Sequence, residues 1–195
     1  MKQVTFLFLF IVGYSLFLGT EPQPDRAKMM PALLVIDIQK EYLPIMDEKD
    51  IKPGLEMINH YIKLFRENGF PVIRVYHTDP KNGPAPGSEN FKFVESALVN
   101  AEDPQIIKHT GSAFKQTDLE KYLQKNGCNT LFLCGLSAVG CVLATYTDAI
   151  DLKYNTFILK GALISHNSTL TGYVQEICRT FDYRSLKLLL ENICR

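Results

Sequence analysis

One stretch, Leu131–Ala149 (LFLCGLSAVGCVLATYTDA), limits what this chain can fold into more than any other. Leu131–Cys134 is an apolar run of the kind buried on both faces of a sheet. Gly135–Gly140 is a turn of mostly small residues, which let the backbone bend tightly and come close to a ligand. Val142, Tyr146, Ala149 and Ile150 then recur at helical spacing. A buried strand that turns at once into a helix is half of a parallel β–α unit. Cys141 stands at the junction, where a strand's carboxyl end meets a helix N-terminus, and open α/β sheets bind ligands in that crevice. The partial positive charge of a helix N-terminus favours a thiolate over a thiol. A free cysteine also packs well as a small apolar residue. Position alone therefore leaves nucleophile and core residue both open.

The rest of the chain repeats the alternation. Ala32–Ile36 is a second continuous apolar run, and it ends in Asp37-Ile38-Gln39. A carboxylate at the end of a buried strand needs a partner or hydrogen bonds; a turn-capping Asp is the plain alternative. Pro53–Asn68 predicts a helix, with Pro53 in its first turn, Leu55, Ile58, Ile62 and Phe65 on one face, and Gly69 as its stop. Pro71–His77 predicts the next strand. Thr78–Asn90 holds three prolines and two glycines. It is long for a connection, and predicts either a lid over a site or a plain surface loop.

Gln105–Lys108 predicts a short strand with Lys108 at its carboxyl end, although lysine is solvated by default. Thr117-x-x-Glu120 is a capping box for a helix that turns Leu119, Tyr122 and Leu123 inward and stops at Gly127. Thr156–Leu159 predicts another strand. Ser168–Phe181 predicts a helix capped by Asn167 or Ser168. Leu186–Ile193 suits a last strand or a terminal helix equally. Strands alternating with helices imply a parallel sheet covered on both faces, with right-handed crossovers.

The 195 residues are 46% hydrophobic, enough for one domain with a sizeable core. Net charge is zero, and no basic stripe carries interleaved aromatics, which excludes a nucleic-acid footprint. Residues 1–20 form a segment of their own. Lys2 is the only charge before Glu21, and Val4–Leu18 is an apolar run shorter than the roughly 20 residues of a membrane span. This predicts a secretory signal, hence a secreted or periplasmic protein, with an uncleaved membrane anchor as the alternative. Residues 21–28, with Pro22 and Pro24, form a linker, and the folded domain is 29–195. The five cysteines are 128, 134, 141, 178 and 194. Cys178 and Cys194 are a plausible disulfide in an oxidising compartment. No CxxC pair or Cys/His cluster suggests zinc.

Asp37, Lys108 and Cys141 each follow the carboxyl end of a predicted strand. Parallel strands bring those ends to one rim. There Cys141 is a nucleophile, Asp37 a base that takes the thiol proton and returns it to a leaving amine, and Lys108 a cation that stabilises the thiolate and holds Asp37 ionised. Backbone N–H groups of the Gly135–Cys141 turn suit an oxyanion hole. Gln39, Tyr42, His77 and Phe114 lie beside these positions as candidate substrate contacts, with core packing the alternative for Tyr42 and Phe114.

Three segments, LLVIDIQKEY, IIKHTGSAF and GLSAVGCVLATYTDA, stand in the order found in the isochorismatase-like cysteine hydrolases. The chain resembles that family, which includes nicotinamidases and N-carbamoylsarcosine amidase, over roughly residues 31–180. The resemblance implies a three-layer α-β-α Rossmann-like fold around a mostly parallel sheet of about six strands. It implies an Asp37-Lys108-Cys141 triad, a cis peptide at Leu136–Ser137, and an oxyanion hole from the N–H groups of Ser137 and Cys141. It implies cleavage of a C–N bond in a small molecule through a thioester, with no cofactor. Nicotinamidases hold a metal through an Asp and several His after the second strand; this chain has only His77 there, so no metal is expected. The resemblance also implies a homo-oligomer. Two further functions stay open: vinyl ether hydrolysis of the isochorismatase type, and a catalytically silent binding module on the same fold.

Overall fold

A computed structural model describes residues 28–193. The predicted signal, nearly all of the linker, and Cys194 with its suggested disulfide lie outside them. Among the described residues Cys178 has no disulfide partner.

Six strands form one sheet: β1 (Pro31–Ile36), β2 (Val72–His77), β3 (Gln105–Lys108), β4 (Thr130–Leu136), β5 (Asn155–Ile164) and β6 (Thr180–Phe181). Their order is β3-β2-β1-β4-β5-β6, and every pair is parallel. Five helices connect and cover them: α1 (Glu48–Glu67), α2 (Leu119–Lys125), α3 (Leu143–Asp151), α4 (Ser168–Ile177) and α5 (Tyr183–Ile193). The chain winds outward from β1 to β3 and then returns to lay β4 on the other side of β1. Strand order therefore reverses between β1 and β4, and the carboxyl ends there splay into a crevice.

All six residues of β1 and all seven of β4 are buried, as apolar runs covered on both faces must be. Alternate residues feed two cores. Leu33 and Val35 pack with Ile58, Tyr61, Ile62 and Phe65 of α1 and with Leu186 and Leu190 of α5. Leu34 and Ile36 pack on the other face with Leu119 and Leu123 of α2, Tyr146 and Ala149 of α3, and Val174 of α4. The three-layer expectation holds. Each fully buried Leu, Ile or Phe contributes about 1.5–3 kcal/mol of transfer free energy.

Several boundaries differ from expectation. α1 starts five residues before Pro53, at Glu48, because Asp47 accepts Lys49 N–H at 3.0 Å and caps it. Its other carboxylate oxygen accepts Ser168 N–H at 3.1 Å, so one aspartate ties two helix starts together. β5 runs past Leu159 to Ile164 across a register shift, with Gly161 at φ +76°. α4 ends at Ile177, which frees Thr180-Phe181 for the sixth strand, and Leu186–Ile193 lies in the helix α5. The capping box forms only in part. Thr117 Oγ1 accepts Leu119 N–H at 3.2 Å, while Glu120 accepts from Gln124 instead of reaching back.

The Thr78–Asn90 loop is fastened down. Thr78 Oγ1 donates to Pro84 O at 2.7 Å, and Asn90 O at the loop's far end accepts the Glu41 N–H at 3.1 Å. It is an ordered flank of the crevice.

Candidate active site

Asp37 is the first residue beyond β1. Its φ of +54° lies in the left-handed region, which Asp tolerates better than most residues. That turn aims the carboxylate across the rim. Lys108, the last residue of β3, reaches past β2 to meet it. Lys108 Nζ lies 2.8 Å from Asp37 Oδ2, with the lysine fully buried and Asp37 2% exposed. The sequence default for Lys108 is thus reversed. Its ammonium has three protons, and it has three acceptors: Asp37 Oδ2, His77 Nδ1 at 3.2 Å and Thr110 O at 3.2 Å. An ammonium only donates, so the His77 ring proton is assigned to Nε2.

Cys141 arrives from β4. Gly135 lets β4 close on β1: at φ +118° a Cβ there would collide with the Ile36 carbonyl. The Leu136–Ser137 peptide is cis, at the bond the family resemblance implied. The chain then makes one wide turn, closed by Val142 N–H on Ser137 O at 3.2 Å, before α3 begins. Cys141 lies in this turn, two residues ahead of α3. A carboxylate oxygen of Asp37, a ring nitrogen of His77 and Cys141 Sγ all fall within 4.8 Å of one another. Asp37 Oδ1 is buried without a hydrogen-bond partner among the described residues, and the Cys141 thiol is its polar neighbour.

The electrostatics assign the resting protons. Burial pushes the Cys141 thiol up to about 12; the Asp37 carboxylate adds to this, while Lys108 pulls the other way. Burial and the Asp37 carboxylate thus oppose the expected thiolate, while Lys108, paired with Asp37 at 2.8 Å, favours it. Burial also raises the Asp37 carboxyl, against Lys108, Cys141 and His77, which makes it a better proton acceptor than an exposed aspartate. His77 is held below its usual value by burial and by Lys108, so it stays neutral. Burial and Asp37 raise the Tyr42 phenol to about 12.

A cavity of about 110 Å³ opens over these groups, lined by Asp37, Tyr42, Met46, His77, Leu136, Ser137 and Cys141. Larger hollows of about 400 and 290 Å³ lie elsewhere, but neither contains a member of this cluster. Of the candidate contacts, Tyr42 and His77 line the cavity, their rings 5.7 Å apart. Gln39 does not. Its amide is spent on the backbone, donating to His77 O and Phe91 O at 3.0 Å and accepting His77 N–H at 2.7 Å. It holds β2 and the following loop against the rim. Phe114 does not line it either; it packs on Tyr154 at 5.7 Å beside the hollow between α2 and α3. Sequence reasoning missed Met46 and Leu136, for which no motif signals. It also left Thr145 without a role. Thr145 Oγ1 accepts Ala113 N–H at 3.0 Å and donates to Cys141 O at 2.7 Å, which joins the lysine loop to the nucleophile turn.

Residues 31–176 match the isochorismatase domain. The chain belongs to the isochorismatase family. It is 32% identical over 143 residues to an uncharacterized isochorismatase family protein of Bacillus subtilis, covering 69% of this chain and 77% of that one. N-carbamoylsarcosine amidase of Thermoplasma acidophilum superposes with a TM-score of 0.68 at 25% identity, over 80% of this chain and 97% of the other. Pyrazinamidase of Pyrococcus horikoshii, solved in complex with zinc, gives 0.69 at 24% identity, over 79% and 99%. Isochorismatase-family proteins are generally hydrolases on this open α/β fold.

A metal of the kind that zinc complex holds does not fit the donors here. Asp37, His77 and Cys141 are close enough together to be ligands. Yet Lys108 Nζ already sits 2.8 Å from Asp37 Oδ2 and 3.2 Å from His77 Nδ1. A divalent cation would face that ammonium at contact distance. No step of the chemistry below is routed through a metal.

Proposed function

We propose that this protein is a cysteine hydrolase that cleaves the C–N bond of a small amide. The observation that carries this is the buried Lys108–Asp37 pair set against the Cys141 thiol in the cavity wall. A buried ion pair is weak evidence for stability, but it is what a base needs to stay ionised in a dry site.

Asp37 takes the thiol proton as Sγ attacks the carbonyl carbon, so the proton moves within one site and no free thiolate is needed beforehand. The oxyanion is met by the N–H groups of Ser137 and Cys141, on the turn that follows the cis peptide. The C–N bond breaks as Asp37 hands its proton to the nitrogen. A thioester on Cys141 remains. Asp37 then takes a proton from water, whose oxygen attacks the thioester, and the thiol is regained as the S–C bond breaks. Lys108 holds Asp37 in place and opposes its neutralisation between steps. Thr145 fixes the carbonyl of Cys141 itself.

Ammonia release from a panel of small primary carboxamides tests this, with wild type and Cys141→Ala side by side. Turnover in the wild type, lost by a factor of at least about 10³ in the variant, is the expected result. Turnover that survives Cys141→Ala would remove the thioester route and leave Asp37 to activate water directly on the amide.

A further inference from the structure

We infer that the site selects small substrates without charge and turns carboxylates away; this rests on the cysteine amidase function proposed above. Size is the first ground. A cavity of about 110 Å³ is well under the roughly 300–1,000 Å³ of ordinary ligand pockets. It suits a short amide.

Charge is the second ground. Among the described residues lining the cavity there is no lysine or arginine. Lys108 lies behind the wall with all three of its protons given to Asp37, His77 and Thr110. His77 is neutral, its Nδ1 taken by Lys108. A carboxylate brought here would lose its water, find Lys108 already paired with Asp37, and meet the Asp37 carboxylate. Burying an unpaired charge is among the costliest changes a site can make.

An uncharged amide fares differently. Its carbonyl is served by the backbone donors of the turn. Ser137 Oγ, buried in the wall, has no partner among the described residues, and a hydroxyl can give or accept one more hydrogen bond. The other unpartnered atom of the wall, Asp37 Oδ1, accepts a hydrogen bond from an amide N–H but has none to give a carboxylate.

Two alkylating reagents of nearly the same shape separate these cases. Iodoacetamide is an uncharged amide and iodoacetate a carboxylate. Their rates at Cys141 are measured on the full chain by peptide mass spectrometry, with 2-mercaptoethanol in the same buffer as the intrinsic reference. The amide-to-carboxylate rate ratio at Cys141 should exceed the reference ratio by at least about tenfold. A ratio equal to the reference, or a Cys141 that iodoacetamide does not reach, overturns the inference. Met46→Arg places a cation on the wall and should bring the ratio back towards the reference; an unchanged ratio would show that missing charge is not the cause. Alkylation needs no hydrolysis. Absent amide turnover with the ratio intact strikes the proposed function alone, and turnover with the ratio lost strikes this inference alone.

Discussion

Lys108 Nζ and Asp37 Oδ2 meet at 2.8 Å although 70 residues of chain separate them, and neither side chain has meaningful contact with solvent. Desolvation of such a pair offsets most of its Coulomb attraction. Removing one member is another matter, because it strands the other charge. Lys108→Met should cost about 3–5 kcal/mol of stability and abolish turnover. Lys108→Met combined with Asp37→Leu should regain much of the stability and none of the activity. Urea unfolding of the three proteins checks this, and a double variant no more stable than the single one would contradict it.

Gly135 carries a purely steric prediction. At φ +118°, with the Ile36 carbonyl in the way of any Cβ, Gly135→Ala should cost at least about 3 kcal/mol or prevent folding. Its yield in the soluble fraction and its unfolding midpoint report this. A near-wild-type midpoint would mean that β4 does not approach β1 as described.

These cases also show how far the sequence reached. The runs ending at Asp37, Lys108 and Cys141 were legible because strands buried on both faces are continuously apolar. A parallel sheet then fixes which ends share a rim. The order of reversal between β1 and β4 was not legible, since many topologies share one pattern of elements. Proton placement was not legible either. A helix N-terminus and a lysine argue for a thiolate, burial and Asp37 argue against one, and the sequence does not state depth. Gln39 and Phe114 sat beside the motifs without facing the cavity, because adjacency in sequence does not set where a side chain points. The Leu186–Ile193 run was ambiguous in period and became a helix that covers α1. We propose that residues 1–20 are an export signal, and an intact mass that lacks them would support it, whereas a mass that keeps them would favour an uncleaved anchor.

Thr145 is a positioning residue, with its hydroxyl between Ala113 N–H and Cys141 O. Thr145→Val keeps the shape and removes both bonds, leaving two buried polar groups short of a partner. A fall in kcat worth about 1–3 kcal/mol is expected, with KM little changed and Thr145→Ser restoring most of it. Equal kcat in the Val and Ser variants would reduce Thr145 to packing.

His77 predicts a pH dependence of stability. Burial, with Lys108 beside it, holds the folded ring below its ordinary 6.5. As pH falls through that value the unfolded chain takes up a proton that the folded one refuses. Stability from the neutral ring is therefore full above it and lost on acidification. Asp37 acts in the opposite sense, since its raised carboxyl lets the folded state bind a proton first. The difference between wild type and His77→Asn isolates the first effect. Between about pH 7.5 and 5.5 the wild type should lose more stability than the variant, and equal losses would contradict a buried neutral His77.

The central claim is that Cys141 becomes acylated. The most direct measurement is an acid quench during turnover of a small amide, followed by intact and peptide mass spectrometry. The account predicts a mass increase equal to the acyl group, confined to the peptide that holds Cys141, removed by hydroxylamine and absent from Cys141→Ala. Steady turnover with no adduct on Cys141 under any quench, and with Cys141→Ala equally active, would contradict it.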